Sequence, residues 1–490
     1  MRLSTIADLL KADAIGNLNM EISGISYDSR KVIPGNLFVC IPGVKSDGHD
    51  FIPQALEKGA KAFLTTHRVE GMPEGVTQII VPDTRESLAK ISAFWYDFPC
   101  QKLRMIGVTG TNGKTTTTHL IKGLLEKNKR RVGLIGTVHN LIGTEILPST
   151  HTTPESWELM GLLNRMVQKE TDTVVMEVSS HALKQKRVAG CEFDGAVFTN
   201  LTQDHLDYHL SWEDYLESKL KLFRNLHLGS KGGAKYAVIN GDDPMAEEFK
   251  RAVQVPVWTY GIKENVHVRA EGIRISSQGT SFILKTNQGS YSLTTSLIGN
   301  FNVYNVLAAV TIALLEGVHL SVISEYLAQA PQVAGRFELI DEGQPFPVIV
   351  DYAHTPDGLK NLLITAKEIT PGRLITVFGC GGDRDRGKRP IMGEISGRYS
   401  SFSFITSDNP RTEDPGAIIE EIEGGIAPVT AQYKIIPDRR EAIEEALKMA
   451  QAQDTVVIAG KGHENYQLVM GKVLHFDDRE VAREVLQSMR

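Results

Sequence analysis

The sequence predicts an α/β protein of three domains: a small N-terminal α/β module, a central domain built on a phosphate-binding loop, and a C-terminal domain of Rossmann type. Three observations predict it. The chain has 490 residues, too many for one core at about 150 residues per domain. A glycine-rich stretch at residues 110–113 follows a short apolar run and precedes residues that can open a helix, the order of a strand, a phosphate cradle and a helix N-terminus. Beyond Gly335, strand-length apolar runs alternate with helical stretches of about 10–15 residues, with polar residues collected after the strands, as in a mostly parallel sheet that binds ligands at its carboxyl edge.

Composition narrows the class. Hydrophobic residues make up 41% and charged residues 23%, as in ordinary globular proteins. A formal net charge of −6 argues against a general nucleic-acid or membrane-surface binder. Cys40, Cys100, Cys191 and Cys380 stand far apart without a CxxC pair, so neither a disulfide framework nor a zinc site is indicated and a reducing compartment fits. The N-terminus lacks the apolar region of a signal peptide, and there is no apolar run of about 18 residues. The expectation is a cytoplasmic protein with no membrane or nucleic-acid partner.

In residues 1–100, strand-like runs at 36–41, 62–65 and 78–81 are separated by turns and by helix-like pieces at 52–58 and 85–96. Ser29 and Arg30 close a possible strand. Hydroxyl and guanidinium together suit a phosphate or sugar, although a turn with a capping serine is the simpler explanation. Pro99 and Gln101-Lys102 mark the boundary to a central domain, 101–334.

There, Lys114 supplies a point charge and Thr115 a hydroxyl for magnesium, while backbone N–H groups hold phosphate. Strict Walker spacing would put a glycine on Val108; it stands at Gly110 instead. A helix at 115–127 and a strand at 131–136 follow. The hydroxyls of His151-Thr152-Thr153-Pro154 precede a helix reaching Met166 and read as caps. The apolar strand 171–178 ends on Glu177, where a magnesium-handling acid belongs. Ser179, Ser180 and His181 then open a polar segment that runs to Arg187. After a strand at 195–199 comes Asp204-His205-Leu206-Asp207-Tyr208-His209. At that spacing the groups share no helix face, so one magnesium ligand fits better than a closed zinc site; a solvated loop accounts for Asp207 and His209.

Ser211 and Asp214 read as a capping box for the next helix. Its apolar stripe is Trp212, Tyr215, Leu216, Leu220, Leu222 and Phe223, and Lys219 falls inside it. A lysine there snorkels, pairs or is chemically altered; from sequence alone, snorkelling is expected. Residues 235–300 read as a smaller β-rich part with strands at 236–239, 266–271, 273–276, 281–286 and 291–295. Asn302 and Asn305 then project from one face at a helix start, and capping explains one of them more easily than both.

In residues 335–490, strands are expected at 348–351, 373–378, 402–406 and 455–459, with helices at 357–369, 415–423 and 438–450. Arg384, Arg411 and Glu464 come from three strand ends. Two guanidiniums and a carboxylate suit a ligand with carboxylates and an ammonium, and a surface ion-pair network explains them equally.

The motifs stand in one order: Asp28-Ser29-Arg30, Thr109-Gly110-Thr111-Asn112-Gly113-Lys114-Thr115, His151-Thr152-Thr153-Pro154, Glu177-Val178-Ser179-Ser180-His181, Asp204-His205-Leu206-Asp207-Tyr208-His209, Gly299-Asn300-Phe301-Asn302, Gly335-Arg336-Phe337-Glu338, Asp351-Tyr352-Ala353-His354-Thr355-Pro356-Asp357, Asp408-Asn409-Pro410-Arg411 and Gly460-Lys461-Gly462-His463-Glu464. This set resembles the Mur ligases, ATP-dependent amide-forming enzymes of peptidoglycan precursor synthesis, over essentially the whole chain. The family's own loop has the TGTNGKT form, which removes the anomaly at Val108.

The resemblance implies an N-terminal domain for the UDP end of the substrate (1–100), a central phosphate-loop ATPase (101–334) and a C-terminal domain bringing the amino acid (335–490). It implies ATP held by Thr109, Gly110, Thr111, Asn112, Gly113, Lys114, Thr115, Asn302 and Asn305, joined by Arg336 and Asp351 once the domains close. Ser29, Thr152, Thr153, Ser179, Gln185 and Arg187 would hold UDP-N-acetylmuramoyl-L-alanyl-D-glutamate. Mg2+ would be served by Thr115, Glu177, His205 and Lys219, the last as N-carboxylysine, and Lys114, Glu177, His205 and Lys219 would be the catalytic set. Arg384, Asp408, Asn409, Pro410, Arg411, Gly460 and Glu464 match the amino-acid site. The Asp-Asn-Pro-Arg form goes with meso-diaminopimelate rather than lysine, because Arg411 can pair with a distal carboxylate that lysine lacks. The implied activity is ATP-dependent addition of meso-diaminopimelate to the D-glutamyl γ-carboxylate through an acyl phosphate, by a monomer acting on small molecules. Lysine addition, folylpolyglutamate synthesis, and a nucleotide-dependent regulator or phosphotransferase are the alternatives.

Overall fold

Ile106 and Val108 enter one buried apolar cluster and Met105 another, so the strand Arg104–Thr109 is apolar on both faces. Such a strand belongs inside a parallel sheet covered on both sides. It lies between Thr173–Glu177 and Gly195–Phe198, parallel to both, with Glu177 opposite Val108 and Phe198 opposite Thr109. The computed structural model describes residues 1–43, 46–205 and 208–489. Its central sheet has eleven strands. Val132–Ile135 flanks Thr173–Glu177, and Tyr236–Asn240 and Val257–Gly261 continue the parallel array on the other side.

The β-rich stretch extends this sheet. Val268–Ser276 joins Val257–Gly261 in parallel, and Gly279–Thr286 and Gly289–Thr295 add antiparallel strands at that edge. The two strands expected at 266–271 and 273–276 are one strand with a register shift between Glu271 and Arg274, a bulge that breaks the alternation read from sequence. A hairpin, His139–Ile142 with Glu145–Pro148, closes the opposite edge.

The helices Lys114–Lys127 and Asn300–Leu315 cover the Ile106 face of the central sheet. Ser156–Gln168 and Trp212–Arg224 cover the Met105 face. The N-terminal domain carries a five-stranded sheet in the order Asp13–Ile15, Thr77–Ile80, Ala62–Thr65, Asn36–Val39, Gly24–Ser26. It meets the central domain through Trp95 on Trp157, with ring centroids 5.6 Å apart, the Tyr27 hydroxyl on Glu158 at 2.8 Å, and Lys186 on Asp83 and Glu86 at 2.8 and 2.6 Å.

The C-terminal sheet has six strands in the order Glu338–Ile340, Val348–Asp351, Thr455–Ala459, Leu374–Phe378, Phe402–Ile405, Tyr433–Ile435, the first antiparallel and the rest parallel. Its carboxyl edge faces the phosphate loop: Asn112 Nδ2 donates to Asp357 Oδ2 at 3.1 Å and Arg336 Nη2 to Thr115 Oγ1 at 3.0 Å. No helix among the described residues is long and apolar enough to cross a membrane.

Candidate active site

Parallel register brings Thr109, Glu177 and Phe198 to one edge, so the segments that leave those strands face one another. Residues 199–200 clamp the phosphate loop: Asn200 accepts from Thr111 N and Asn112 N at 2.9 Å each, and the Thr199 hydroxyl donates to the Asn112 carbonyl at 2.6 Å. Gly113 adopts φ +84 just before the helix, and a Cβ there would lie 2.3 Å from Asn305 Oδ1. Both the conformation and the close approach demand glycine.

Lys114 folds back to donate to the carbonyls of Gly110 and Thr111 at 2.8 and 2.7 Å, and burial lowers its pKa. Lys219 does not snorkel. It is 1% exposed, donates to the same Gly110 carbonyl at 2.9 Å and lies 4.5 Å over the Tyr215 ring. Burial first, then the neighbouring Lys114, drives its pKa well below the usual lysine value. The Trp212–Arg224 stripe is core-facing as expected, but at Lys219 the core wall is the phosphate loop, so the amine ends on a carbonyl instead of reaching water. Only half of the expected capping box forms: Ser211 accepts from Asp214 N at 3.2 Å, whereas the Asp214 carboxylate accepts from Leu210 N and pairs with Lys184.

Glu177 is fully buried. Its Oε1 accepts from Thr137 N at 2.8 Å, and its Oε2 lies 2.9 and 3.1 Å from the hydroxyls of Thr137 and Thr115. A carboxylate ringed by hydroxyls is a donor set for a hard divalent cation, so Thr115 and Glu177 fit magnesium. His205 sits at φ +56 with Nε2 3.2 Å from Asp204 Oδ2, and burial takes its pKa to about 3. It is therefore a neutral imidazole that can ligate. Lys219 can join them only as a carbamate. Among the described residues no three His, Cys, Asp or Glu side chains converge on a metal position. Asp207 lies outside the described residues. Asp204 is buried against His205, His354 and Lys388, which hold it below the usual carboxylate value against the cost of burial.

A cavity of about 350 Å³ opens between the central and C-terminal domains, lined by Asn112, Gly113, Thr115, Asn305, Arg336 and Asp351 among others. Asn305 and Asn302 cap nothing through their own oxygens: Asn302 Nδ2 donates to the Ile298 carbonyl at 2.9 Å and its Oδ1 accepts from Asn305 Nδ2 at 3.1 Å. Arg336 lies 4.6 Å over the Tyr352 ring, with its buried Nε unpartnered. Asp351 accepts from Phe337 N and Ala353 N at 2.7 Å, which fixes the turn carrying Arg336; burial raises its pKa.

The hydroxyls at 152–153 are not caps. Thr153 Oγ1 donates to the Glu177 carbonyl at 2.9 Å and accepts from Ser179 N at 3.0 Å, and Thr152 Oγ1 lies 3.1 Å from the Thr137 hydroxyl. Arg187 donates to the Thr153 carbonyl at 2.9 Å and to Gln185 Oε1, and pairs with Glu155 at 2.8 Å; Gln185 Nε2 reaches the Tyr208 hydroxyl at 2.9 Å. Ser29 stays in the N-terminal domain, buried, with its hydroxyl on Gln54 Oε1 at 2.6 Å.

On the C-terminal sheet, Asn409 Nδ2 donates to Glu464 Oε2 at 2.8 Å, and Arg411, at φ +54, donates to the Gly382 carbonyl at 2.7 Å. A side chain at Gly381 would meet Arg411 at 2.8 Å and Arg384 at 3.8 Å, so both arginines crowd one loop; a Cβ at Gly382 would strike the Pro410 carbonyl. Gly460 has φ +119 and brings its backbone against Asp408, whose Oδ2 would be 2.7 Å from a Cβ. Burial, then Asp408, raises the pKa of Glu464.

Comparison with known proteins places this geometry. Three family models match, described as Mur ligase family, catalytic domain (residues 21–96), Mur ligase middle domain (108–313) and Mur ligase, glutamate ligase domain (335–462). UDP-N-acetylmuramoyl-L-alanyl-D-glutamate–2,6-diaminopimelate ligase of Syntrophomonas wolfei is 50% identical over 96% of each chain. The chain belongs to the Mur ligase family. A second Mur ligase of the same name, from Geobacillus thermodenitrificans, is 47% identical over 96% of each chain. A solved structure of that name has a TM-score of 0.69 at 34% identity, covering 100% of this chain and 99% of its own. The MurF ligase of Thermotoga maritima, solved with ADP, has a TM-score of 0.63 at 20% identity over 96% and 97% of the chains, which shows a shared fold.

For this Mur ligase the structure brings together the phosphate-loop residues with Glu177, Lys219, Asn302, Asn305 and Arg336, and separately the Thr152–Arg187 group and the Asp408–Glu464 group. Ser29 lies in the N-terminal domain, its hydroxyl on Gln54, apart from the Thr152–Arg187 group. Sequence reading missed Thr137, which shares Glu177 with Thr115, and Lys461, buried beside Glu464. Thr137 carries no local signal. Lys461 lay inside a quoted motif beside Glu464, but its burial rests on Asn409, 52 residues away, which spacing does not reveal.

Proposed function

We propose that this Mur ligase joins meso-2,6-diaminopimelate to the D-glutamyl γ-carboxylate of UDP-N-acetylmuramoyl-L-alanyl-D-glutamate, using ATP and releasing ADP and phosphate. The observation that carries the reading is the 50% identity, across 96% of both chains, to a ligase of that name. The γ-carboxylate attacks the γ-phosphorus of ATP, ADP leaves, and an acyl phosphate forms. The amine of diaminopimelate then adds to the acyl carbon, and the tetrahedral intermediate expels phosphate and loses a proton. Lys114 leaves the Gly110 and Thr111 carbonyls for the β- and γ-phosphates, Arg336 adds charge from the facing domain, and positioning does the rest. Thr115 and Glu177, with His205 and carbamylated Lys219, would hold magnesium, which supplies charge neutralisation at the phosphates. A depressed lysine pKa favours the free amine that carbamylation needs, and the carbamate would set a negative charge beside Lys114 at Gly110 O.

Ser29, Thr152, Thr153, Ser179, Gln185 and Arg187 serve the UDP-muramoyl dipeptide. Arg384, Asp408, Asn409, Pro410, Arg411, Gly460 and Glu464 serve diaminopimelate, with Arg411 meeting its distal carboxylate. The domains run 1–100, 101–334 and 335–490, and the enzyme works as a cytoplasmic monomer. ADP release in a coupled assay tests the reading: it requires ATP, the UDP-muramoyl dipeptide and diaminopimelate together. Equal turnover with lysine would overturn the specificity.

A further inference from the structure

Lys461 is fully buried, and the activity proposed above gives it no task. Its ammonium reaches the Tyr466 carbonyl, Glu464 Oε2 at 3.3 Å and Asn409 Oδ1 at 3.4 Å. Asn409 in turn donates to the same Glu464 oxygen at 2.8 Å and accepts from Leu468 N at 2.9 Å. Lys461, Glu464 and Asn409 close a three-membered ring, with the Tyr466 carbonyl as a further acceptor for the cation, which fixes the rotamers of both Glu464 and Asn409.

The charges around Glu464 are Asp408, Tyr352, Tyr466, Lys461 and Arg439. Arg439 is already bound through two nitrogens to Asp478, at 2.7 and 2.8 Å, with both side chains fully buried. Asp408 is a second anion. Lys461 is in direct contact with Glu464 at 3.3 Å. A buried carboxylate stripped of its cation and left beside another anion takes up a proton at higher pH, and a neutral carboxyl no longer holds an ammonium by a charge-assisted bond.

We propose that Lys461 is a positioning residue of the amino-acid site, keeping Glu464 ionised and aligned with Asn409 to receive the ammonium group of the incoming amino acid. The inference rests on the reading that Glu464 contacts that amino acid. A purely structural lysine would instead tie residues 460–466 to the hairpin Tyr466–Val469 with Lys472–His475 and leave the titration of Glu464 alone.

Steady-state kinetics of the full chain separate the two, with ATP and the UDP-muramoyl dipeptide saturating and meso-diaminopimelate varied across pH. Lys461→Gln keeps a donor for the Tyr466 carbonyl and removes the charge. It is expected to raise KM for diaminopimelate about tenfold and to move the acidic limb of kcat/KM upward by about one pH unit, with KM for ATP within about twofold. Lys461→Arg, which keeps the charge, is expected to bring the limb back toward its original position. An unmoved limb in Lys461→Gln, or a limb equally displaced in Lys461→Arg, overturns the proposal. Glu464→Gln run alongside isolates the underlying reading: if it raises KM while Lys461→Gln does not, the reading stands and Lys461 is structural. If Glu464→Gln leaves KM for diaminopimelate unchanged, the reading itself falls, and the proposal with it.

Discussion

On the phosphate-loop wall, Lys114 and Lys219 both donate to the Gly110 carbonyl. On the wall proposed for the amino acid, Lys461 lies against Glu464 and Asn409. Both walls bury lysine, but among the described residues only the second gives it a carboxylate in direct contact. The first wall is short of negative charge at the loop, a deficit that a polyphosphate or a carbamate removes. On the second, Lys461 already partners Glu464 before anything binds. Groups that await charge formed in the reaction act on rate, whereas groups already neutralised act on recognition.

The sharpest way to break this contrast is Lys114→Ala. Removing a preorganised cation from the transferring phosphoryl group is expected to lower kcat on the order of 10³-fold, with KM for diaminopimelate little changed. The ADP-release assay reads both numbers, and a dominant rise in the amino-acid KM would mean that the walls are not separable. Lys219→Ala comes next, at about 10²-fold in kcat. If Lys219 acts as a carbamate, bicarbonate or short carboxylates restore part of the loss; no restoration under any of them would leave only the amine on Gly110 O.

Lys219 also shows what the sequence could and could not say. Its place inside the apolar stripe of Trp212–Arg224 was legible from periodicity, since helix faces are local. What lay opposite that face was not, because the Gly110 carbonyl is 109 residues away in sequence. Thr137 and Glu177 meet for the same reason: parallel register, not spacing, joins them. The strands Val348–Asp351 and Thr455–Ala459 were read to the residue, being short apolar runs bounded by a polar residue at one end. The helix Lys388–Tyr399 went unread because Pro390 suggests a break, yet proline is tolerated in a first turn. Likewise Pro415–Ile426 runs past the expected end at 423, as Gly425 admits the Pro390 backbone where a Cβ would lie 1.8 Å from its carbonyl. Glycine there serves packing rather than termination.

On the amino-acid wall, Arg411→Ala tests recognition alone. Loss of a charged hydrogen-bonding partner, about 2 kcal/mol, corresponds to a rise of roughly 30-fold in KM for diaminopimelate, with ATP binding unaffected. Discrimination against lysine should shrink by a similar factor, since lysine never used that contact. An unchanged amino-acid KM would remove Arg411 from the site.

The smallest effect separates two buried groups of the C-terminal domain by sign. His354 borders the nucleotide cavity, and burial lowers its pKa to about 4. The unfolded chain, with an ordinary histidine value of about 6.5, binds that proton more readily. Stability conferred by His354 is therefore complete above about pH 6.5 and declines as pH falls toward 4, by at most about 1.4 kcal/mol per pH unit. Glu464 is the reverse case: its carboxyl is raised, so the folded chain holds the proton more readily and stability declines as pH rises above the usual carboxylate range. Melting temperatures across pH 4.5 to 7 expose the difference without kinetics. The melting temperature of His354→Asn relative to the parent should climb as pH falls, whereas that of Glu464→Gln should climb as pH rises. Two differences of the same sign would mean that one of the two groups is held in the opposite charge state.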